Sequence, residues 1–295
     1  MYKARIFSVS GHFCLSFLIT LKLSGHVLAS DIIEIETQHF TIVSEAELDP
    51  VADLLAKNIL DQCAERTDLL EYRTGSERIP FLIARDIVVL DEIFQNYYKG
   101  QISVSPNTSV RNEFCGGGKA GGMLVTAGTI RFCVGDQAFW LDRIRDEKKF
   151  CPDITHEMMH IVQNELTGGG LRNPGQSATD VLGPAWMFEG AAELSEHISR
   201  FGEARLDLID MLVRDSIPPG SLELSQMESF DMRGTYKNLH YTKGFIAAKF
   251  LYDRSGSDSI LSFYKCIGRK KDWEHCFEKT FEMSVERFYS IRSLK

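Results

Sequence analysis

The sequence predicts an α+β chain, with an N-terminal mixed α/β layer on a small sheet and then a mostly helical C-terminal part. Three observations predict it. Strand-like runs rich in β-branched and aromatic residues all lie before Pro152. Beyond Pro152 the apolar residues recur at helical spacing. The chain has 295 residues, 44% hydrophobic and 25% charged, which is the make-up of a globular protein able to bury a sizeable core without metals or crosslinks.

Ile32 to Val43 alternates as one strand would. Ser44 and Glu47 have capping-box spacing, so an amphipathic helix is expected from there to about Tyr72. Ile79 to Ala84 is a short apolar run between two arginines and reads as a buried strand. Val88 to Tyr98 has helical spacing, Gly100 to Glu113 is polar and irregular, and Gly121 to Val134 reads as one or two strands after a glycine-rich loop. A helix is expected over Ile154 to Leu166, then a loop rich in glycine and proline from Thr167 to Pro184. Further helices are expected over 185–200, 203–214, 241–253 and 257–266, with a last pair from Trp273 onward. The division implied is a leader over 1–30, an α+β part over 31–170 and a helical part over 171–295.

The leader has the three parts of a secretory signal. Lys3 and Arg5 stand at its start, Phe13 to Leu21 is apolar, and Val27-Leu28-Ala29 offers small residues for cleavage near Ala29. The apolar run is shorter than the roughly 20 residues a membrane span needs. No other stretch is apolar enough to cross a bilayer, so the mature chain is expected to be secreted or periplasmic. Loss of residues 1–30 removes three basic residues and no acid, taking the net charge from −8 to −11. Such an acidic chain argues against nucleic acid as a partner. Cys63, Cys115, Cys133, Cys151, Cys266 and Cys276 remain, an even set that suggests disulfides in an exported protein. Closeness in sequence favours Cys115 with Cys133 and Cys266 with Cys276, and the absence of C-x-x-C disfavours a redox site or zinc ribbon.

The chemistry concentrates in Thr155-His156-Glu157-Met158-Met159-His160. Histidines at i and i+4 of one helix share a face, one turn apart, so both imidazoles can hold one zinc ion with Glu157 in reach of its water. A hydrolytic zinc takes three protein ligands and keeps one position open. Downstream stands Ala185-Trp186-Met187-Phe188-Glu189-Gly190-Ala191-Ala192-Glu193, with Glu189 and Glu193 again four apart. The pairing of H-E-x-x-H with W-x-x-E-G-x-A-E resembles the gluzincins, the thermolysin-like zinc metallopeptidases. The resemblance implies that Glu189 is the third ligand and that Glu193 orients a ligating histidine; the other reading of Glu193 is a solvent-facing carboxylate.

His240-Tyr241-Thr242-Lys243-Gly244 is similar to the Y-x-K-G that begins a helix in gluzincin aminopeptidases, where the tyrosine stabilises the oxyanion. Tyr241 would take that role, with His240 and Tyr236 as substitutes, unless it anchors its helix in the core. The run from Trp273 to Phe288 resembles the closing helices of small peptidase-MA-like members, which commonly carry Gly where Glu282 stands. One departure stands out. The aminopeptidase branch has a G-x-M-E-N strand whose Glu binds the substrate amine, whereas Ala120 to Val125 has neither Glu nor Asn, and an endopeptidase is favoured.

The expectation is therefore a gluzincin-like secreted zinc metallopeptidase acting on peptide or protein substrates, with Glu157 as general base. The alternatives are a catalytically inactive zinc-binding protein of the same fold and a zinc hydrolase of a non-peptide amide or ester. Gly116, Gly118 and Gly121 satisfy G-x-G-x-x-G, but no apolar strand precedes them and no helix follows, so a dinucleotide site is set aside. His197 lies one turn beyond Glu193 and reads as a surface histidine at a helix end.

Overall fold

The computed structural model describes residues 5–6, 31–99, 115, 121–168, 177–230 and 233–291. The signal-like leader apart from Arg5 and Ile6, the polar stretch after Gly100, most of the glycine-rich loop and residues 169–176 lie outside the described residues.

Among the described residues, six strands form one mixed sheet: β1 (Arg5–Ile6), β2 (Ile32–Glu36), β3 (Phe40–Glu45), β4 (Ile79–Ala84), β5 (Gly121–Thr126) and β6 (Thr129–Val134), in the order β1-β2-β3-β4-β6-β5. The centre, β3-β4-β6, is parallel, while β2 and β5 pair antiparallel on either side. β1 pairs only through Arg5 with Glu34 and Ile6 with Ile33, whereas β2 pairs along its whole length with β3.

Parallel strands need covered faces, and alternation supplies two apolar sides here. Ile42, Phe81, Ile83, Ile130 and Phe132 belong to the main core. Val43, Leu82, Ala84 and Cys133 pack on the other face with Leu90, Ile93 and Phe94 of α3 (Ile87–Tyr97). The main core is covered by α1 (Asp49–Leu54), α2 (Leu60–Glu65) and the long α5 (Glu147–Thr167), which follows α4 (Gln137–Arg145). It continues without a break into α7 (Ala185–Phe201) and the later helices, reaching Phe288.

Several expectations change. The alternating run from Ile32 to Val43 is two strands, because Asp61 of α2 holds a turn at residues 37–39: its carboxylate accepts from Thr37 Oγ1 at 2.8 Å, Gln38 N at 3.0 Å and His39 N at 3.0 Å. Ser44 is no helix cap. It is buried in β3, its hydroxyl donates to the Glu45 carbonyl, and the first α-helix opens instead at Asp49 with Pro50 in its first turn. That helix runs through a π-type turn over Leu55–Ile59 and ends at Glu65; a separate 3₁₀ turn covers Asp68–Tyr72. Gln137–Arg145 was not anticipated, and α6 (Ala178–Leu182) interrupts the expected loop, capped by Ser177 and Asp180.

The helical part continues with α8 (Leu206–Asp215), α9 (Arg233–Ser255), α10 (Ser259–Lys270), α11 (Trp273–Phe281) and α12 (Val285–Tyr289). His240 to Gly244 lies inside α9, not at its start. Glu282 ends α11 with φ of 53°, the left-handed region that glycine enters at less cost. Three disulfides are present among the described residues. Cys115–Cys133 and Cys266–Cys276 match the expectation, and Cys63–Cys151 ties α2 to the helix that carries the two histidines.

Contacts with no room for a side chain bring the helices of the site together. A Cβ on Gly190 of α7 would lie 2.1 Å from the carbonyl oxygen of Gly244 in α9, so the two backbones touch at that crossing. A Cβ on Gly268 of α10 would lie 2.0 Å from the Leu166 carbonyl oxygen of α5. Trp186, stacked on Phe288, donates to the Tyr289 hydroxyl at 3.0 Å and fixes the start of α7 against the last helix. Replacing Gly190 by Ala should therefore destabilise the fold by about 1–3 kcal/mol or more, since backbone rather than a side-chain end must give way. Urea unfolding reads this as a lower midpoint, and an unchanged midpoint would contradict the close crossing.

Candidate metal centre

α5 is buried over most of its circumference from Ile154 to Asn164, which is how a helix at the middle of a core reads. Its neighbours impose the order: Cys151 is tied to Cys63, and Thr155 Oγ1 lies 3.2 Å from Ser199 Oγ of α7. His156 and His160 both face α7. Their ring centroids are 4.9 Å apart, and the Nε2 atoms converge on one oxygen, Glu189 Oε2, at 3.7 and 3.4 Å. Two donors bonded to a tetrahedral zinc at about 2.0–2.1 Å would stand roughly 3.3 Å apart. The separations fit such a common ion, and the three donor atoms all lie within 4.8 Å of one another. Glu189 is 1% exposed, so its carboxylate is stable there only opposite positive charge.

His160 is held by a network. Its Nδ1 lies 2.8 Å from Gln163 Oε1, while Gln163 Nε2 donates to the Phe188 carbonyl at 2.9 Å and to the Tyr264 hydroxyl at 3.0 Å. A carbonyl can only accept, which fixes the amide orientation; Gln163 Oε1 must then accept from Nδ1–H. His160 Nε2 is left with its lone pair toward Glu189. The ring also stacks on Phe188, with centroids 4.2 Å apart. Gln163 was not anticipated, although a residue three places after a ligating histidine shares its face.

His156 Nδ1 points the other way, toward Glu196 Oε2 at 3.3 Å and Glu193 Oε1 at 3.7 Å. These are ion-pair contacts, not well-aligned hydrogen bonds, and Nδ1 stays buried. Glu193 is thus near the histidine it was expected to orient, but Glu196, one turn further along α7, is nearer. Burial, the adjacent Glu196 and Glu189 together push the Glu193 carboxyl up to about 7, against the pull of His156. Burial also works against ionisation of Glu196, but its contact with His156 and the charge of Arg200 hold it below the usual range. Burial likewise opposes charge on His156, yet Glu189, Glu196, Glu157 and Glu193 outweigh it and raise its basicity well above the ordinary value. His156, Glu193 and Glu196 form a second cluster with metal-ligand spacing. Arg200 already neutralises Glu196, and His156 serves the first cluster through its other nitrogen, so this group reads as support for the first.

Glu157, between the histidines in sequence, is buried, and its Oε2 has no hydrogen-bond partner in the structure. Burial raises its carboxyl above the usual range, with the two histidines pulling the other way. An orphaned buried carboxylate oxygen beside a His2Glu donor set is what a base awaiting a metal-activated water presents, and the fit to a divalent metal is good. Tyr241 lies on the same side, its ring centroid 5.9 Å from that of His156. His240 is 1% exposed and embedded in the core, and the Tyr236 side chain lies outside the described residues. His197 is not a surface histidine: its ring packs edge-on against Phe245 at 4.6 Å, and its Nε2 lies 3.7 Å from Glu193.

β5 forms the sheet edge next to α5, with only β6 as a neighbour among the described strands. Gly121 starts it at φ of 97°, where a Cβ would meet the Cys133 carbonyl oxygen at 2.0 Å.

Compared with protein-family models, with curated proteins and with solved structures, the chain finds no match. The class rests on the site itself. Two histidines of an H-E-x-x-H helix and a carboxylate from a later helix match the gluzincin arrangement, carried on a mixed α/β part followed by helices. Three donors with an adjacent base are consistent with an active metallohydrolase rather than a closed structural zinc site. Replacing Gln163 by Leu should weaken divalent-metal affinity roughly 10–100-fold, the usual cost of losing a histidine's supporting partner. Competition with a chromophoric chelator measures it; unaltered affinity would remove Gln163 from the site.

Proposed function

We propose that this chain is an exported zinc metallopeptidase, an endopeptidase rather than an aminopeptidase. The observation that carries the reading is the convergence of His156, His160 and Glu189 with Glu157 beside them. The His2Glu donor set is that of catalytic zinc among the metals proteins use for hydrolysis. Bound there, zinc would supply a Lewis acid that makes water a nucleophile near neutral pH.

The chain's own groups would do the rest. His156, His160 and Glu189 would hold the ion, with Glu193 beside His156. Glu157 accepts the proton as water attacks the substrate carbonyl, and its burial raises its basicity for that task. The Tyr241 hydroxyl donates to the developing oxyanion. Glu157 then returns the proton to the leaving amine. A peptide would lie between the α+β part, 31–170, and the helical part, 171–295, with its backbone adding to the edge of β5 that no described strand pairs. β5 carries no acid to bind a free α-amine, which supports internal cleavage. The signal-like leader and three disulfides fit an oxidising, extracytoplasmic compartment.

The purified chain should hold one zinc by metal analysis. It should cleave a peptide library, and a chelator should stop it. Glu157→Gln should keep the zinc and lose roughly 10²–10⁴-fold in turnover, the range of general-base catalysis. Full turnover in that variant would remove Glu157 from the mechanism, and failure of His156→Ala to reduce bound zinc would remove the metal centre.

A further inference from the structure

We propose that Glu196, clamped by Arg200 and through Asp153 by Arg143, is the positioning residue for His156, in the role that motif spacing assigns to Glu193. The inference rests on the metal reading of His156 and deepens it. The two carboxylates differ in how they are held. Glu193 divides between two histidines, each at 3.7 Å: Oε1 toward His156 Nδ1 and Oε2 toward His197 Nε2. Glu196 has one oxygen for each task. Oε2 lies 3.3 Å from His156 Nδ1, and Oε1 accepts from Arg200 Nη2 at 2.7 Å, one helical turn along α7.

The Arg200 guanidinium is itself held. Its Nη2 reaches Asp153 Oδ1 at 3.5 Å, and Asp153 takes a two-pronged contact from Arg143, at 2.6 Å to Oδ2 and 2.7 Å to Oδ1. Arg143 is on α4, Asp153 on α5 three residues before His156, and Glu196 and Arg200 on α7. Charges of alternating sign thus run from α4 across the metal helix to α7 and back to the metal histidine. The two-pronged Arg143–Asp153 contact fixes direction as well as energy. The line fixes the rotation of α7 about its axis relative to α5, and with it both the imidazole angle of His156 and the height of Glu189 seven residues earlier on α7. Glu196 thereby faces Nδ1 of His156, which leaves Nε2 on the side of Glu189 where the ion would sit.

Zinc dissociation constants, read on the purified chain by competition with a chromophoric chelator, test this directly. Glu196→Gln and Arg200→Met should each weaken zinc about 10–100-fold, the range for partners of a ligating histidine, while Glu193→Gln should lose several-fold less than Glu196→Gln. The double variant should be no weaker than the Glu196 variant alone, because both changes remove one interaction. Arg200→Lys, which keeps a cation beside Glu196 Oε1, should recover part of the loss relative to Arg200→Met. A wild-type constant in folded Arg200→Met, additive losses in the double variant, or a greater loss from Glu193→Gln than from Glu196→Gln would each overturn the assignment. Should Arg200→Met not fold, the Glu196 and Glu193 comparison decides it. Wild-type protein that binds zinc no better than His156→Ala would overturn the metal reading and this proposal together, whereas tight wild-type binding with unchanged variants overturns this proposal alone.

Discussion

A buried carboxylate facing two imidazoles governs this structure. Glu189 is almost wholly removed from water, and desolvating a carboxylate costs several kcal/mol unless a cation answers it. His156 and His160 stand opposite with their Nε2 atoms on a single Glu189 oxygen. Burial opposes charge on His156, yet the carboxylates facing it raise its basicity above the ordinary value. A divalent cation answers the Glu189 charge, because it can bond all three donors at once. The same crossing of α5 on α7 that closes the core brings the three donors together.

The remaining architecture makes that crossing rigid. α5 is fixed to the sheet side by the Cys63–Cys151 disulfide and to α10 by the close approach at Gly268. α7 meets α9 backbone to backbone at Gly190 and Gly244, and Trp186 joins it to the last helix. The crossing at Gly190 is one residue from Glu189, and Gly244 is three from Tyr241, so one contact without side chains sets the depth of both groups. Small residues there serve the chemistry through geometry, not through any polar atom of their own.

Much of this was legible because it is local. The i, i+4 spacing of His156 and His160, and of Glu189 and Glu193, puts each pair on one helix face wherever the helix ends up. Cys115–Cys133 and Cys266–Cys276 close short loops, and Ile79–Ala84 is a strand with clear apolar bounds. What was missed depends on partners distant in sequence. Asp61 breaks the alternating run before it into a hairpin, from 22 to 24 residues away. Ser44 has the right spacing for a cap but is consumed by a strand that pairs on both sides. The Cys63–Cys151 link spans 88 residues. Glu196 lay on the right face of α7 all along, yet only its contact with His156 distinguishes it from Glu193.

That last distinction bears on how far a motif can carry a mechanism. The ligands of a metal must meet at one point, so their types and spacing are tightly constrained, and a short pattern captures them. The groups behind the ligands need only present an acceptor to the outer nitrogen of a ring, which several positions on a helix can do. At His160 the acceptor is an amide, Gln163, itself fixed by a backbone carbonyl and a buried tyrosine. At His156 it is a carboxylate held by a guanidinium. An anionic partner strengthens an imidazole as a metal donor. The two histidines of one short motif are thus unequal: His156 is the more strongly supported electron donor, and His160 is the more rigidly aligned ring, stacked and hydrogen-bonded in place.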